Sequence, residues 1–355
     1  MTKASLATVL LLIATNTAWA QFTEYDQLDS TGFVQERLGR IDTVINAEIS
    51  KGKIPGAVAL VALNGKLAYF KSFGFSDIDT KTPMQKDNIF RMASMTKAIT
   101  SVGAMILYER GLFQLNDPVS KYIPDFSDMQ VISEVGGNGD ISATVPASAQ
   151  IKIVDLFTHT SGISYPFTPN SLQKPYVAAG IIDGMTSRNI TLQAQMKLLA
   201  KQPLLFEPGS DYVYGLGHDL LGYLIEVISG KPLDQFFAEE IFTPLNMQDS
   251  HFYLPKAKVD RLVTLYAEMD QVGLTVARGN ESNINLDNPR YPAGDGQSYF
   301  SGGAGVSSTA YDYARFIQML LNKGTLEGSR ILSRKSVELM QSARVDSDGD
   351  QIPDF

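Results

Sequence analysis

Ser94-Met95-Thr96-Lys97 opens the run Ala98-Ile99-Thr100-Ser101-Val102-Gly103-Ala104-Met105-Ile106-Leu107. A helix this apolar is not an ordinary surface element, and it reads as one packed inside a fold. The spacing predicts a helix running to Arg110, where Gly111 supplies a left-handed cap. Residues three apart share a helix face, so the Ser94 hydroxyl and the Lys97 amine stand side by side, a nucleophile next to a base. Ser-x-x-Lys also arises by chance wherever serine and lysine are common, so its surroundings decide what it means.

Working outward, a helix is expected from about Phe33 to Ser50. Next come Gly56 to Ala62 and Lys66 to Lys71, two β-rich runs on either side of Asn64-Gly65. Asn and Gly accept the positive φ of a tight turn, so this is a hairpin that begins a small sheet. Residues 129–150, rich in Gly, Ser, Ala and Asp, read as a long exposed loop inserted in the fold. From Ile151 to about Leu254 helical patterns dominate: Leu192 to Ala200, His218 to Ser229 closed by Gly230, and Leu233 to Ile241 ended by Pro244. A last helix is expected from Thr309 to Asn322. Strands followed by many helices indicate one α/β domain over 21–345 carrying a mainly helical lobe at about 95–300.

The composition narrows the function. The chain has 355 residues, 44% of them hydrophobic and 19% charged, the balance of an ordinary folded domain. Its 30 basic and 38 acidic residues give a net charge of -8, without the basic block that nucleic acid or an anionic membrane would need. Lys3, the apolar run Leu6 to Ala14 and Ala18-Trp19-Ala20 have the layout of a cleaved secretory signal, so residues 1–20 are expected to be removed. The apolar core of that segment is too short to span a bilayer. The expectation is a periplasmic or secreted protein, not integral to the membrane after cleavage. With no cysteine, disulfides, thiolate metal ligands and a cysteine nucleophile are all excluded. Nothing in the sequence asks for a cofactor.

A second chemical candidate lies in Glu207-Pro208-Gly209-Ser210-Asp211-Tyr212-Val213-Tyr214-Gly215-Leu216-Gly217-His218-Asp219-Leu220-Leu221-Gly222. Tyr214, on a Pro/Gly-rich turn just before a helix, can present its phenol to a cleft, although a single Tyr is more often simply packed.

Together these segments resemble the serine β-lactamase and penicillin-binding-protein superfamily, in the branch similar to class C β-lactamases and the carboxylesterases that share their fold. Ser94-Met95-Thr96-Lys97 matches the nucleophile motif. It is followed by Gly111 to Val119, by Lys121-Tyr122-Ile123-Pro124 and by Ile153-Val154-Asp155-Leu156-Phe157-Thr158-His159-Thr160-Ser161-Gly162. Pro208 to Gly222, Pro244-Leu245-Asn246-Met247 and Gly302-Gly303-Ala304-Gly305-Val306-Ser307-Ser308-Thr309 continue the match. The resemblance implies an antiparallel sheet flanked by helices plus a helical lobe. It also implies that Ser94 attacks an acyl carbonyl while Lys97 and Tyr214 handle its proton, the division between those two being left open. The Ser94 N–H would be one oxyanion donor. In the family a second donor lies on a strand with Lys-Thr-Gly, or Trp-Gly-Gly in esterases. No counterpart follows Thr309, so the closing strands are expected to be missing from this chain.

Leu216 stands where lactam-hydrolysing relatives carry the Asn of Tyr-x-Asn, which removes an amide for the substrate. The expected substrates are therefore small or medium acyl esters, with a β-lactam or D-Ala-D-Ala peptide as the alternative and an inactive, binding-only relative as the second. A Ser-His-Asp hydrolase is disfavoured: the Gly-x-Ser-x-Gly elbow is missing and only His159, His218 and His251 are present. His159 is expected to be structural. No two histidines stand at metal-ligand spacing. In the tail, Asp346, Asp348, Asp350 and Asp354 have the alternation of part of a calcium loop, with a solvated acidic tail as the plainer reading.

Overall fold

The computed structural model describes residues 22–24, 33–186, 188–269, 273–277, 291–293 and 298–342. The expected secretory signal and the acidic tail with Asp346, Asp348, Asp350 and Asp354 lie outside the described residues. The chain opens with β1 (Thr23–Glu24), α1 (Gln35–Ser50), β2 (Gly56–Leu63), β3 (Lys66–Asp77) and β4 (Thr82–Pro83). β2 and β3 form the expected antiparallel hairpin in the register Leu63↔Lys66 to Gly56↔Gly74, turning through Asn64 at φ 51° and Gly65 at φ 75°. β1 joins β3 in parallel, and β4 pairs with β3 antiparallel.

Next come β5 (Phe90–Arg91) and α2 (Thr96–Glu109). Ile99, Thr100 and the run Val102 to Leu107 are all buried, which is why α2 carries apolar residues around nearly its whole circumference. Gly111, at φ 71°, follows its end as expected.

Residues 129–150 are not a loop. Gln130–Val135 (β6) and Ile141–Pro146 (β7) form a second hairpin, bent by register shifts at Ile132/Glu134 and Glu134/Val135. The Gly136-to-Asp140 stretch that looked like loop composition is its turn, closed by the Gly136 N–H on the Asp140 carbonyl at 2.8 Å. Val131 and Val145 pair across the strands, and most of the hairpin's side chains are solvent-facing, so the alternating apolar signal of a strand is weak here.

The helical lobe contains α3 (Ile153–Thr158), α4 (Gln173–Ala178), α5 (Leu192–Leu199), α6 (Gly217–Ser229) and α7 (Leu233–Phe237). α7 is shorter than expected because the chain widens into a π-turn over Ala238–Phe242 before Pro244. α6 packs on α2, and its residues Gly217 to Ile225 are buried. Replacing Leu220, which has no exposed surface, by Ala would cost about 2–5 kcal/mol.

The chain then forms β8 (Tyr266–Met269), β9 (Gly273–Val276), β10 (Ser307–Ser308), α8 (Ala310–Leu321), β11 (Thr325–Leu326), β12 (Ser329–Arg330) and α9 (Arg334–Met340). β8 pairs with β9, and β10 returns to β5. The turn before β10 is pressed onto α6: a Cβ on Gly302 would sit 2.3 Å from the His218 carbonyl, so only glycine permits this approach. The architecture is the expected mixed α/β one, small antiparallel sheets among many helices. No helix among the described residues is long and apolar enough to cross a membrane.

Candidate active site

Ser94 lies in a short 3-10 turn, Ala93–Met95, immediately before α2. Ala93 is held at φ 45°, a left-handed conformation that costs an alanine on the order of 1–2 kcal/mol. The turn leaves Ser94 exposed while Thr96 and Lys97, two and three residues on, are buried. It is fixed from both sides. The Tyr313 hydroxyl donates to the Met95 carbonyl at 3.0 Å, and the Thr96 hydroxyl accepts the Val306 N–H at 3.1 Å.

Lys97 is 8% exposed. Its Nζ lies 3.3 Å from Ser94 Oγ, 3.0 Å from the Tyr165 hydroxyl and 2.9 Å from the Gly303 carbonyl. An ammonium has three donors for these three partners. A neutral amine keeps two, for Tyr165 and Gly303, and turns its lone pair to Ser94. The cage therefore fixes Nζ against the Ser94 hydroxyl from two further sides.

Tyr214 stands at the end of the turn that enters α6, half-buried, and its hydroxyl donates to Ser94 Oγ at 2.6 Å. The Lys97 Nζ lies 4.6 Å from the centre of the Tyr214 ring. Ser94, Lys97 and Tyr214, separated by up to 120 positions in sequence, thus meet at one point.

His159 holds the turn, as expected of it. It ends α3 at φ 61°, and its Nδ1 accepts the Gly215 N–H at 3.3 Å. Its ring packs 4.7 Å from that of Tyr214 and 5.0 Å from that of His218. His218 Nε2 and the Ser101 hydroxyl are 3.2 Å apart. Burial, reinforced by the Lys97 charge, lowers the His159 imidazole to about 4. Burial, then His159 and Lys97, hold His218 well below its ordinary range. Both rings are neutral packing groups, and neither touches Ser94.

Leu216 is fully buried at the start of α6. It therefore offers the cleft neither an amide nor an apolar wall. Two exposed rings pack on residues of the cluster, Phe167, stacked 4.7 Å from Tyr165, and Tyr212, edge-on to His159, whereas exposed Met95 lines a groove with Val58, Leu60, Ala62, Tyr313 and Ile317. Sequence reasoning missed Tyr165. It lies three residues beyond Gly162, where the recognisable Thr-Ser-Gly signature stops, and a lone Tyr after Ile163-Ser164 carries no signal of its own.

The ordered segments, the fold and the Ser94 cluster all point one way, and the Beta-lactamase family model matches residues 34–351. The chain belongs to the β-lactamase family. Protein Rv1367c of Mycobacterium tuberculosis (strain ATCC 25618 / H37Rv) is 34% identical over 295 residues, covering 83% of this chain and 69% of that protein. Esterase EstB of Burkholderia gladioli is 29% identical over 305 residues, covering 82% of this chain and 73% of its own length. Among solved structures, EstCE1, described as a hydrolase with promiscuous acyltransferase activity, aligns with a TM-score of 0.75 at 32% identity. That alignment covers 88% of this chain and 78% of EstCE1. This β-lactamase-family chain thus falls among relatives that include esterases and acyltransferases.

Proposed function

We propose that this β-lactamase-family protein is an exported serine hydrolase that cleaves small or medium acyl esters through an acyl-enzyme. The observation that carries the reading is the contact of one hydroxyl, Ser94 Oγ, with Tyr214 Oη at 2.6 Å and Lys97 Nζ at 3.3 Å. Ser94 Oγ attacks the ester carbonyl and gives its proton to the Tyr214–Lys97 pair, and the carbonyl oxygen takes the negative charge, received in part by the Ser94 N–H. The intermediate collapses, the C–O bond to the alcohol breaks, and the pair returns the proton to the departing alkoxide. Water then attacks the acyl group on Ser94, losing its proton to the same pair, and the acid leaves as Ser94 is re-protonated.

Esters are favoured over β-lactams because Leu216 supplies no amide and because the exposed rings of Phe167 and Tyr212, packed on Tyr165 and His159, offer apolar surface suited to acyl or alkoxy groups. The kinship with EstB and EstCE1 supports the same choice. EstCE1's description also favours a second reading, in which an alcohol replaces water as the acyl acceptor. Export rests on the N-terminal leader pattern and is checked by the mass of the mature chain, expected to begin at Gln21.

A panel of p-nitrophenyl esters, a chromogenic cephalosporin and a D-Ala-D-Ala peptide tests the assignment. Turnover confined to the esters and lost in Ser94→Ala is expected. Lactam or peptide cleavage at comparable kcat/KM overturns the ester assignment, and turnover that persists in Ser94→Ala overturns the mechanism.

A further inference from the structure

Behind Lys97 lies a carboxylate that no part of the proton relay uses. Asp219, in the first turn of α6, has no exposed surface. Its Oδ1 accepts the Ser301 hydroxyl at 2.6 Å and the Tyr299 hydroxyl at 3.3 Å. Its carboxylate is fully buried, and the Gly303 backbone N–H is directed at it. Gly303 is wedged against it: a Cβ there would lie 2.3 Å from Asp219 Oδ2 and 3.0 Å from the Tyr165 hydroxyl. Ser301 in turn accepts the Ala304 N–H at 3.0 Å, which closes the turn over Gly303. The carbonyl of that same Gly303 receives Lys97 at 2.9 Å.

We propose that Asp219 is a positioning residue for Lys97: it anchors the Ser301–Ala304 turn that holds the lysine and places a carboxylate behind it. The proposal rests on the reading of Lys97 as part of a proton relay.

Two features separate this role from packing. The first is connectivity, since the path Asp219–Ser301–Gly303–Lys97 uses the one carbonyl among the three partners of Nζ, and a carbonyl cannot rotate away as a hydroxyl can. The second is cost. A carboxylate with no exposed surface opposes folding, and a neutral amide of the same shape opposes it less. Burial pushes the Asp219 carboxyl upward, and the Ser301 hydrogen bond, then the Lys97 charge and the Gly303 N–H, pull the other way. The other titratable groups around it are the phenols Tyr165, Tyr291 and Tyr299 and the carboxyl Asp183, which faces Tyr165 and Tyr299.

The test compares the full chain with Asp219→Asn and Ser301→Ala by p-nitrophenyl acetate kinetics, fluorophosphonate labelling rate and thermal midpoint. Asp219→Asn preserves shape and removes the charge. It is expected to lower kcat and the labelling rate at least tenfold, to leave KM within twofold, and to melt at or above the parent's temperature. Ser301→Ala, which keeps the carboxylate but frees the turn, is expected to lose a smaller, several-fold share of kcat. Asp219→Asn labelling at the parent's rate overturns the proposal, as does a rate loss that comes only with a lowered melting temperature, the mark of a structural residue. A parent chain that neither labels nor turns over ester overturns the acyl-enzyme reading itself, and this proposal with it.

Discussion

The hydroxyls of Tyr214 and Ser94 lie 2.6 Å apart, joining the segment leading into α6 to the turn leading into α2. Tyr214→Phe removes this hydrogen bond while keeping the ring's contacts with His159 and Tyr165. It should lower kcat about 10²–10⁴-fold, the usual worth of a positioned acid–base group, with KM little changed and the circular dichroism spectrum intact. Near-parental kcat would show that Lys97 alone manages the proton.

Tyr165→Phe is expected to be milder. Nζ loses one of three partners and keeps Ser94 Oγ and the Gly303 carbonyl, while the ring stacking on Phe167 survives. A fall in kcat of about tenfold fits a buried hydrogen bond to a charged group worth about 1.5–3 kcal/mol, partly recovered by the remaining partners. Steady-state kinetics beside Tyr214→Phe ranks the two phenols, and a larger loss in Tyr165→Phe would reverse their roles.

Gly215 follows Tyr214 where backbone meets backbone. A Cβ at this position would fall 1.9 Å from the Ile163 carbonyl oxygen, so Gly215→Ala must move the Tyr214 turn. The expected outcome is a stability loss of about 1–3 kcal/mol together with a loss of activity far beyond that of a distant core variant of equal stability. Urea melts matched to ester turnover provide the comparison.

The two central histidines make stability depend on pH with a definite sign. An unfolded chain binds a proton at each imidazole near pH 6.5, whereas the fold holds His159 at about 4 and His218 well below its ordinary range. Between these limits the unfolded state carries the extra protons, so stability is fully present above about pH 6.5 and declines as the pH falls toward 4. The melting temperature should drop steadily over that interval. His159→Asn retains an acceptor for the Gly215 N–H and suits the left-handed φ of 61°, so it should flatten part of the drop. A parental melting temperature unchanged between pH 7 and pH 4.5 would contradict the neutral, buried assignment.

Where the sequence spoke clearly, it did so through local rules. Asn64-Gly65 between β-rich runs specified the hairpin, and the all-round apolar pattern after Ser94 specified a buried α2. Residues 130–146 misled because a solvent-facing hairpin shows little alternation and its Gly-rich turn dominates the composition. In the site, Ser94 and Lys97 were legible because one helical turn joins them, and Tyr214 because a recognisable segment surrounds it. Tyr165, the Gly303 carbonyl and Asp219 were not, because their importance lies in long-range contacts to Lys97 or to one another that no local spacing encodes.

The central claim is that Ser94 is an activated nucleophile, and intact-mass measurement after exposure to a fluorophosphonate probe tests it most directly. One adduct on the parent chain and none on Ser94→Ala is the predicted result. A folded parent that gains no mass, or an adduct that persists in Ser94→Ala, would contradict it.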